Sequence, residues 1–579
     1  MAKGLKLSKR NRSNPDLSNT LGIIYRSLKN WDLSLKYYNE AIRQAPKNAS
    51  FLNNKANVLR DIGHFDEAIK IYILAIEAKP QNPVYHCNLA KVYNDNLNFK
   101  KAELSAINAQ KLDPYNSEAF NNLGLALDGQ SKSHAAEKAF IQALSIKNMN
   151  PEVHTNIGKL YFKIDQLEKA IYHTKLAIFF NSKTVEPYYN LCEIYDKTNK
   201  LEKFEEIIEI ALVATKNNPS ILLKKGQLEF RKKNYRECLS ILRRVPLNKL
   251  TKAKVTVLHE LMGKSFDHTG DYPKAYLNFE SMNTNVETLA EATGICGEGY
   301  IQNVVRLTEN FKEVDLRTQR PDLVKRAITP IFLIGFPRSG TTLLDTVLRS
   351  HPMINVIEEK PIVDTVVAHL GKPIDHKVIA SLSKNTLDAL RKIYIAELEK
   401  CCPNYKSKKV IVDKFPLNLI HVPIINAIFP NAKFIFMLRH PCDCVLSCFM
   451  QNFELNAAMV NFLDLTNTAN LYSNIMKLWT VYLKNVNMNI EIVKYENLIS
   501  DLEGTSKKIV NFLDLSWEPK MLEFHKTGLA RSQIKTPSYS QVTEKLYSHA
   551  DGRWKNYSKN LSCIIETLEP WIKEFSYSK

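Results

Sequence analysis

One regularity restricts this chain more than any other: from about Pro15 to about Met282, a pattern of small and aromatic residues returns every 34 residues. Aligned at that period, Leu21-Gly22, Ala56, Leu89-Ala90, Leu123-Gly124, Ile157-Gly158, Leu191-Cys192, Gly226 and Gly263 put a small side chain at one phase of eight successive units, the eighth after a short insertion. A later phase carries Ala68, Ala102, Ala136, Ala170, Cys238 and Ala275, with Ser34 and Phe204 as departures. Small residues at both phases let the two helices of a hairpin approach. Tyr25, Leu59, Tyr93, Leu127, Tyr161 and Tyr195 fill the gap between hairpins, and Pro46, Pro80 and Pro114 close three of the units. A unit this short cannot bury its own apolar face, so the hairpins must stack.

The period and its residues resemble the tetratricopeptide repeat. That resemblance implies an α-helical superhelix whose groove takes an extended peptide or another protein surface; the period itself names no ligand. After Met282 the phase is lost while VETLAEATGICGEGYIQNVVRLTENF keeps helical spacing, which predicts a helix covering the last apolar face of the array. On sequence the chain divides into a basic tail over 1–14, repeats over 15–284, a helical connector over 285–328 and a second domain over 329–579.

The texture changes at Thr329. The runs PIFLIGF, KVIVD (Lys409 to Asp413), KFIFMLR (Lys433 to Arg439) and IEIVKY (Ile490 to Tyr495) alternate with helical segments, predicting an α/β domain with a parallel sheet covered on both faces and its ligands at the strand C-termini. The first run feeds GFPRSGTTLL. Its Gly335-to-Gly340 spacing is that of a P-loop, yet Thr341 and Thr342 stand where a nucleoside-triphosphate loop needs Lys then Ser or Thr. The fixed cation is instead Arg338, inside the turn, where a guanidinium can grip a phosphate bidentately beside the N-terminus of a helix.

The string PRSGTT resembles the 5′-phosphosulfate loop of the sulfotransferase family. The resemblance implies 3′-phosphoadenosine 5′-phosphosulfate as co-substrate, contacted by Pro337, Arg338, Ser339, Gly340, Thr341 and Thr342, with Arg439 and Ser447 at its 3′-phosphate. No metal is implied. Glu359 lies 21 residues beyond Arg338, which matches the base of protein-tyrosine sulfotransferases; its neighbour Glu358 makes a solvated loop pair the plainer alternative. In VDKFPLN, Lys414 matches the lysine beside the bridging oxygen of the leaving nucleotide, with Arg338 and Thr341 or Thr342 as further donors. The segment QVTEKLYSHADGRWKNYSKNL resembles the stretch that closes over the nucleotide, and assigns Arg553 to phosphate and Trp554 to adenine, with Tyr547 helping. Eukaryotic tyrosylprotein enzymes have a serine where Gly552 stands, so a hydroxyl there would come from elsewhere, such as Ser548.

Bulk properties narrow the reading. A formal net charge of +19 suits a polyanionic partner, but the basic residues form no aromatic-basic platform, which disfavours nucleic acid. No run of about twenty apolar residues predicts a membrane span, and MAKGLKLSKRNRSNPD has no secretory core, so a soluble, cytoplasmic chain is expected. The ten cysteines lack a disulfide framework, and Cys442, Cys444 and Cys448 lack zinc spacing. The expected activity is sulfuryl transfer to a hydroxyl of a protein tyrosine, a glycan or a small molecule. The rivals are a nucleotide kinase and a repeat scaffold with a non-catalytic nucleotide-binding domain.

Overall fold

The computed structural model describes residues 14–314, 329–403, 405, 408–530 and 551–578. They form two compact units: the residues up to Asp196 together with Glu202–Ile221, and Lys197–Leu201 together with the residues from Leu222 onward.

In the first unit the repeat is realised as helical hairpins, beginning with Pro15–Ser27 and Trp31–Gln44, then Ala49–Asp61 and Phe65–Ala78, then Pro83–Asp95 and Phe99–Leu112. The sequence builds each hairpin from three periodic devices. An asparagine caps the first helix in five units, Asn14, Asn48, Asn82, Asn116 and Asn150, each side chain accepting backbone N–H groups of the first turn. A residue at positive φ reverses the chain between the helices: Lys29, Gly63, Leu97, Ser131, Asp165 and Asn199, again 34 apart. The small residue then meets a large one across the hairpin; a Cβ on Gly124 would lie 2.5 Å from the Phe140 ring, so that contact requires glycine. Tyr25, Leu59, Tyr93, Leu127, Tyr161 and Tyr195 are all buried, as the spacing predicts.

A further row lies on the first helices, two residues before the small position: Asn54, Asn88, Asn122, Asn156 and Asn190. Two residues turn the helix by about 200°, so this row faces away from the second helix of each hairpin. The row is cross-linked between repeats, with Nδ2 of Asn54 donating to Oδ1 of Asn19 (3.0 Å), Asn88 to Asn53 (2.8 Å) and Asn156 to Asn121 (2.9 Å).

The second unit holds the last hairpins and a five-stranded sheet. Numbering its helices from the final hairpin, α1 is Lys252–His268, α2 Tyr272–Thr293 and α3 Glu298–Phe311. The sheet domain then runs β1 (Ile331–Gly335), α4 (Thr341–Arg349), β2 (Ile354–Glu358), β3 (Val410–Lys414), β4 (Lys433–Leu438), α5 (Pro441–Phe449), α6 (Leu465–Asn485) and β5 (Asn489–Lys494). The strands are parallel in the order β2-β3-β1-β4-β5, with Leu333 opposite both Lys414 and Ile435. Alternating residues feed two cores. Phe332, Ile334, Phe434 and Phe436 pack with α1, α2, α3 and α6, and Leu333, Val412, Ile435 and Met437 pack with α4 and the helices after β5. Strand β2 was not anticipated. INVIE carries an asparagine and a glutamate in five residues, and as an edge strand it needs no continuous apolar run.

Candidate functional site

Because β1 is central, with β2 and β3 placed on one side of it and β4 and β5 on the other, the crevice at the carboxyl ends of β1, β3 and β4 is where this topology leaves space for a ligand. The turn after β1 occupies it. Arg338 adopts φ 69° and Gly340 φ 101°, and α4 starts at Thr341. A Cβ on Gly340 would lie 2.5 Å from the Tyr495 ring, so glycine is required there twice over, by dihedral and by space. The first N–H groups of α4 have no acceptors within the helix, and the dipole adds to their field. Thr341 and Thr342 are buried at this end, and Ser339 Oγ is buried with no hydrogen-bond partner among the described residues. A buried orphan hydroxyl in a loop of this shape is what an absent anion would satisfy.

Two arginines meet at the turn. Arg338 Nε donates to Ser447 Oγ at 3.0 Å, and Arg439, at the tip of β4, donates from Nη1 to the Arg338 carbonyl at 3.1 Å. The Arg439 guanidinium also lies 4.9 Å over the Tyr495 ring, whose hydroxyl is pushed up by burial. Pro337 presents its carbonyl to Cys448 Sγ at 3.4 Å, and burial pushes the Cys448 thiol well above its ordinary range. Among the described residues no cluster of three or more His, Cys, Asp or Glu side chains is arranged to hold a metal ion.

On the other side of β1, the unforeseen strand β2 decides the geometry. Its pairing sets Glu358 opposite Lys414, and Glu359 then turns with φ 47° so that its N–H donates to the Lys414 carbonyl at 2.8 Å. Lys414 is fully buried and gathers three carboxylates: Glu359 Oε1 at 2.7 Å, Glu358 at 3.6 Å and Asp345 of α4 at 3.9 Å. Asp345 is itself held by Arg349 one turn on. Of the group, Glu359 reaches solvent most, with 37 % of its side chain exposed. An ammonium buried at a strand end is held there by this charge pairing rather than by apolar packing.

The C-terminal segment packs beside the tip of β4. Trp554 stacks on His440, the residue after Arg439, at 5.0 Å and 15°. Arg553 does not stand free: it pairs with Asp267 of α1. Tyr547 and Ser548 lie outside the described residues. Two neighbours escaped the sequence reading. Tyr495 underlies both the turn and Arg439, and Asp443 accepts the backbone N–H groups of Gly552 and Trp554, each at 2.9 Å. The tyrosine directly follows a strand end, and the acid sits in the first turn of a helix; neither signal distinguishes them from packing or capping without coordinates.

Comparison with known proteins agrees with this arrangement. The model described as "Sulfotransferase family" matches residues 330–519, and that for the tetratricopeptide repeat matches residues 19–83. An uncharacterized protein of Aquifex aeolicus (strain VF5) is 26 % identical over 399 residues, covering 64 % of this chain and 49 % of that one. A putative protein-tyrosine sulfotransferase of Caenorhabditis briggsae is 24 % identical over 43 % of this chain and 88 % of its own length. Protein-tyrosine sulfotransferase 2 of Gallus gallus is 26 % identical over 39 % of this chain and 62 % of its own. The chain thus spans about half of the Aquifex protein and less than two thirds of the Gallus one. No helix among the described residues is long and apolar enough to cross a membrane. The chain carries tetratricopeptide repeats followed by a domain of the sulfotransferase family.

Proposed function

We propose that the protein moves a sulfuryl group from 3′-phosphoadenosine 5′-phosphosulfate to a hydroxyl of a polypeptide, a tyrosine in the first instance. In this reading the domain over 329–579 carries the transfer, the repeats over 15–284 recruit the acceptor or a partner protein, and 285–328 connects them. The observation that carries the proposal is the joining of Arg338, Ser447 and Arg439 by two hydrogen bonds around the N-terminus of one helix. One nucleotide can then be reached by both arginines, as a 3′,5′-substituted adenosine demands and a triphosphate chain does not.

The roles follow from what each group can do. The loop from Pro337 to Thr342 and the first N–H groups of α4 bind the 5′ end, with Ser339 Oγ acquiring a partner. Arg439 and Ser447 bind the 3′-phosphate, and Trp554 covers the base. The bound donor supplies an activated sulfuryl group, so the protein needs alignment and charge stabilisation rather than a covalent intermediate. Lys414, compact and desolvated, neutralises charge on the bridging oxygen, and Glu359, the solvent-facing carboxylate, takes the acceptor's proton. Their contact at 2.7 Å fixes both before substrate arrives.

The asparagine row supports a polypeptide acceptor. Each amide that donates one hydrogen to the preceding repeat keeps a second hydrogen and a carbonyl, the same pair that a peptide backbone offers in reverse. Bonds to backbone recruit extended chains without demanding a sequence.

Calorimetry with 3′-phosphoadenosine 5′-phosphate, joined to transfer of radiolabelled sulfate into tyrosine peptides, tests the reading. The wild type is expected to bind, Arg439→Ala to lose binding, and Glu359→Gln to bind normally while transfer falls by about 10²- to 10⁴-fold, the usual worth of a general base. A wild type that binds ATP and ignores the bisphosphate would refute the assignment.

A further inference from the structure

Two aspartates hold one short segment, Gly552–Tyr557. Asp443 grips its backbone, as described above. Asp267 grips its side chains: Arg553 Nε donates to Oδ1 at 3.1 Å, Arg553 Nη2 lies 2.8 Å from Oδ2, and the Tyr557 hydroxyl donates to Oδ1 at 2.5 Å. Asp267 is the penultimate residue of α1, in the last repeat hairpin. A carboxylate is disfavoured at a helix C-terminus, where the dipole is negative, so this position gains from a fixed cation. Burial and the neighbouring Asp267 carboxylate both push the Tyr557 hydroxyl up, keeping it protonated as a donor.

The pairing leaves donors over. A guanidinium has five N–H groups, and Asp267 engages two, so the Nη1 pair and one Nη2 hydrogen are left without a partner among the described residues. A quarter of the Arg553 side chain is exposed, against 11 % for Asp267. The next residue, Trp554, lies on His440, which adjoins Arg439 at the tip of β4. Arg553 is therefore a pre-set cation next in sequence to a ring that stacks beside the tip of β4, and its anchor belongs to the last repeat hairpin.

Resting on the nucleotide reading above, we propose that Asp267 is a positioning residue for nucleotide binding. By holding the Arg553 guanidinium from behind, it presents the remaining N–H groups to a phosphate of the nucleotide gripped by Arg338 and Arg439. The last repeat hairpin, which lies in the same compact unit as the sheet, then forms one wall of the nucleotide site and supplies one member of a binding residue pair.

The test is calorimetry of 3′-phosphoadenosine 5′-phosphate on the full chain, with thermal melts of each variant. Asp267→Asn and Arg553→Ala are each expected to weaken binding about tenfold, and the double substitution to be no weaker than Arg553→Ala alone, since one interaction has been removed twice. The reversed pair, Asp267→Arg with Arg553→Asp, is expected to regain the melting temperature but not the affinity, because the cation then sits on the helix. If the reversed pair does not fold, the three other variants decide. Wild-type affinity in either single variant overturns the proposal, and so does recovery of affinity in the reversed pair, which would make the contact a simple tether. Absence of binding in the wild type would instead bring down the nucleotide reading itself.

Discussion

Asp413 lies fully buried on β3, one residue before Lys414 and therefore on the opposite face of the sheet. Its Oδ2 accepts the Tyr394 hydroxyl at 2.7 Å, while Oδ1 has no partner among the described residues. Burial pushes its carboxyl up to about 7, although the Tyr394 hydrogen bond pulls the other way. The sign of the linkage follows from the raised value. Between the unfolded carboxylate pKa of about 4 and the folded value, the folded chain holds a proton that the unfolded chain has released, so this residue's contribution to stability declines as pH rises through that window. Asp413→Asn keeps an acceptor for Tyr394 and removes the charge. It is expected to match the wild type near the acid end and to exceed it at about pH 8, as read from urea midpoints. In VDK the sequence offers an acid and a base side by side, and alternation along a strand sends one to the core and the other to the crevice. Lys414 was legible because its neighbours form a motif, whereas the state of Asp413 depends on Tyr394, which comes from a distant helix. The same limit applies to Arg553: its identity is visible in GRWKNY, its partner Asp267 lies 286 residues away.

At the level of elements, the repeat was legible because each hairpin repeats the same local solution, and the positive-φ turn residue shows how far local rules reach. Leu97 holds φ 56° in such a turn with its side chain more than half exposed, where two other repeats use Gly63 and Gly270. A left-handed conformation costs a residue with a Cβ about 1–2 kcal/mol, and glycine avoids it. Leu97→Gly is therefore expected to raise the stability of the first unit by about 1 kcal/mol, seen as a higher midpoint in chemical denaturation. Strand β2 shows the opposite case. INVIE is short, mixed in polarity and at the sheet edge, and pairing with β3 rather than propensity makes it a strand. Without it, Glu358 and Glu359 read as a loop; with it, register alone brings them to Lys414.

For the whole chain, the change of texture at Thr329 marks where strands begin, but not where the second core begins. Phe279 and Met282 of α2 and Val304, Leu307 and Phe311 of α3 are buried in the same cluster as the sheet residues Phe332, Ile334 and Phe436. Each large apolar side chain so buried contributes roughly 1.5–3 kcal/mol. A chain cut to 222–579 is accordingly expected to give a soluble protein with a cooperative melt, and one cut to 329–579 to aggregate, which gel filtration and calorimetric scans would separate. The molecule also carries a tension between endurance and turnover. Arg338, in the turn after β1, and Glu359, just past β2, both sit in backbone conformations suited to glycine. In the transfer reading proposed above, a lineage selected for heat resistance alone would drift toward glycine at these places and give up the phosphate grip and the base, so strained non-glycine residues persisting at both positions would be the mark of descendants still under selection for turnover.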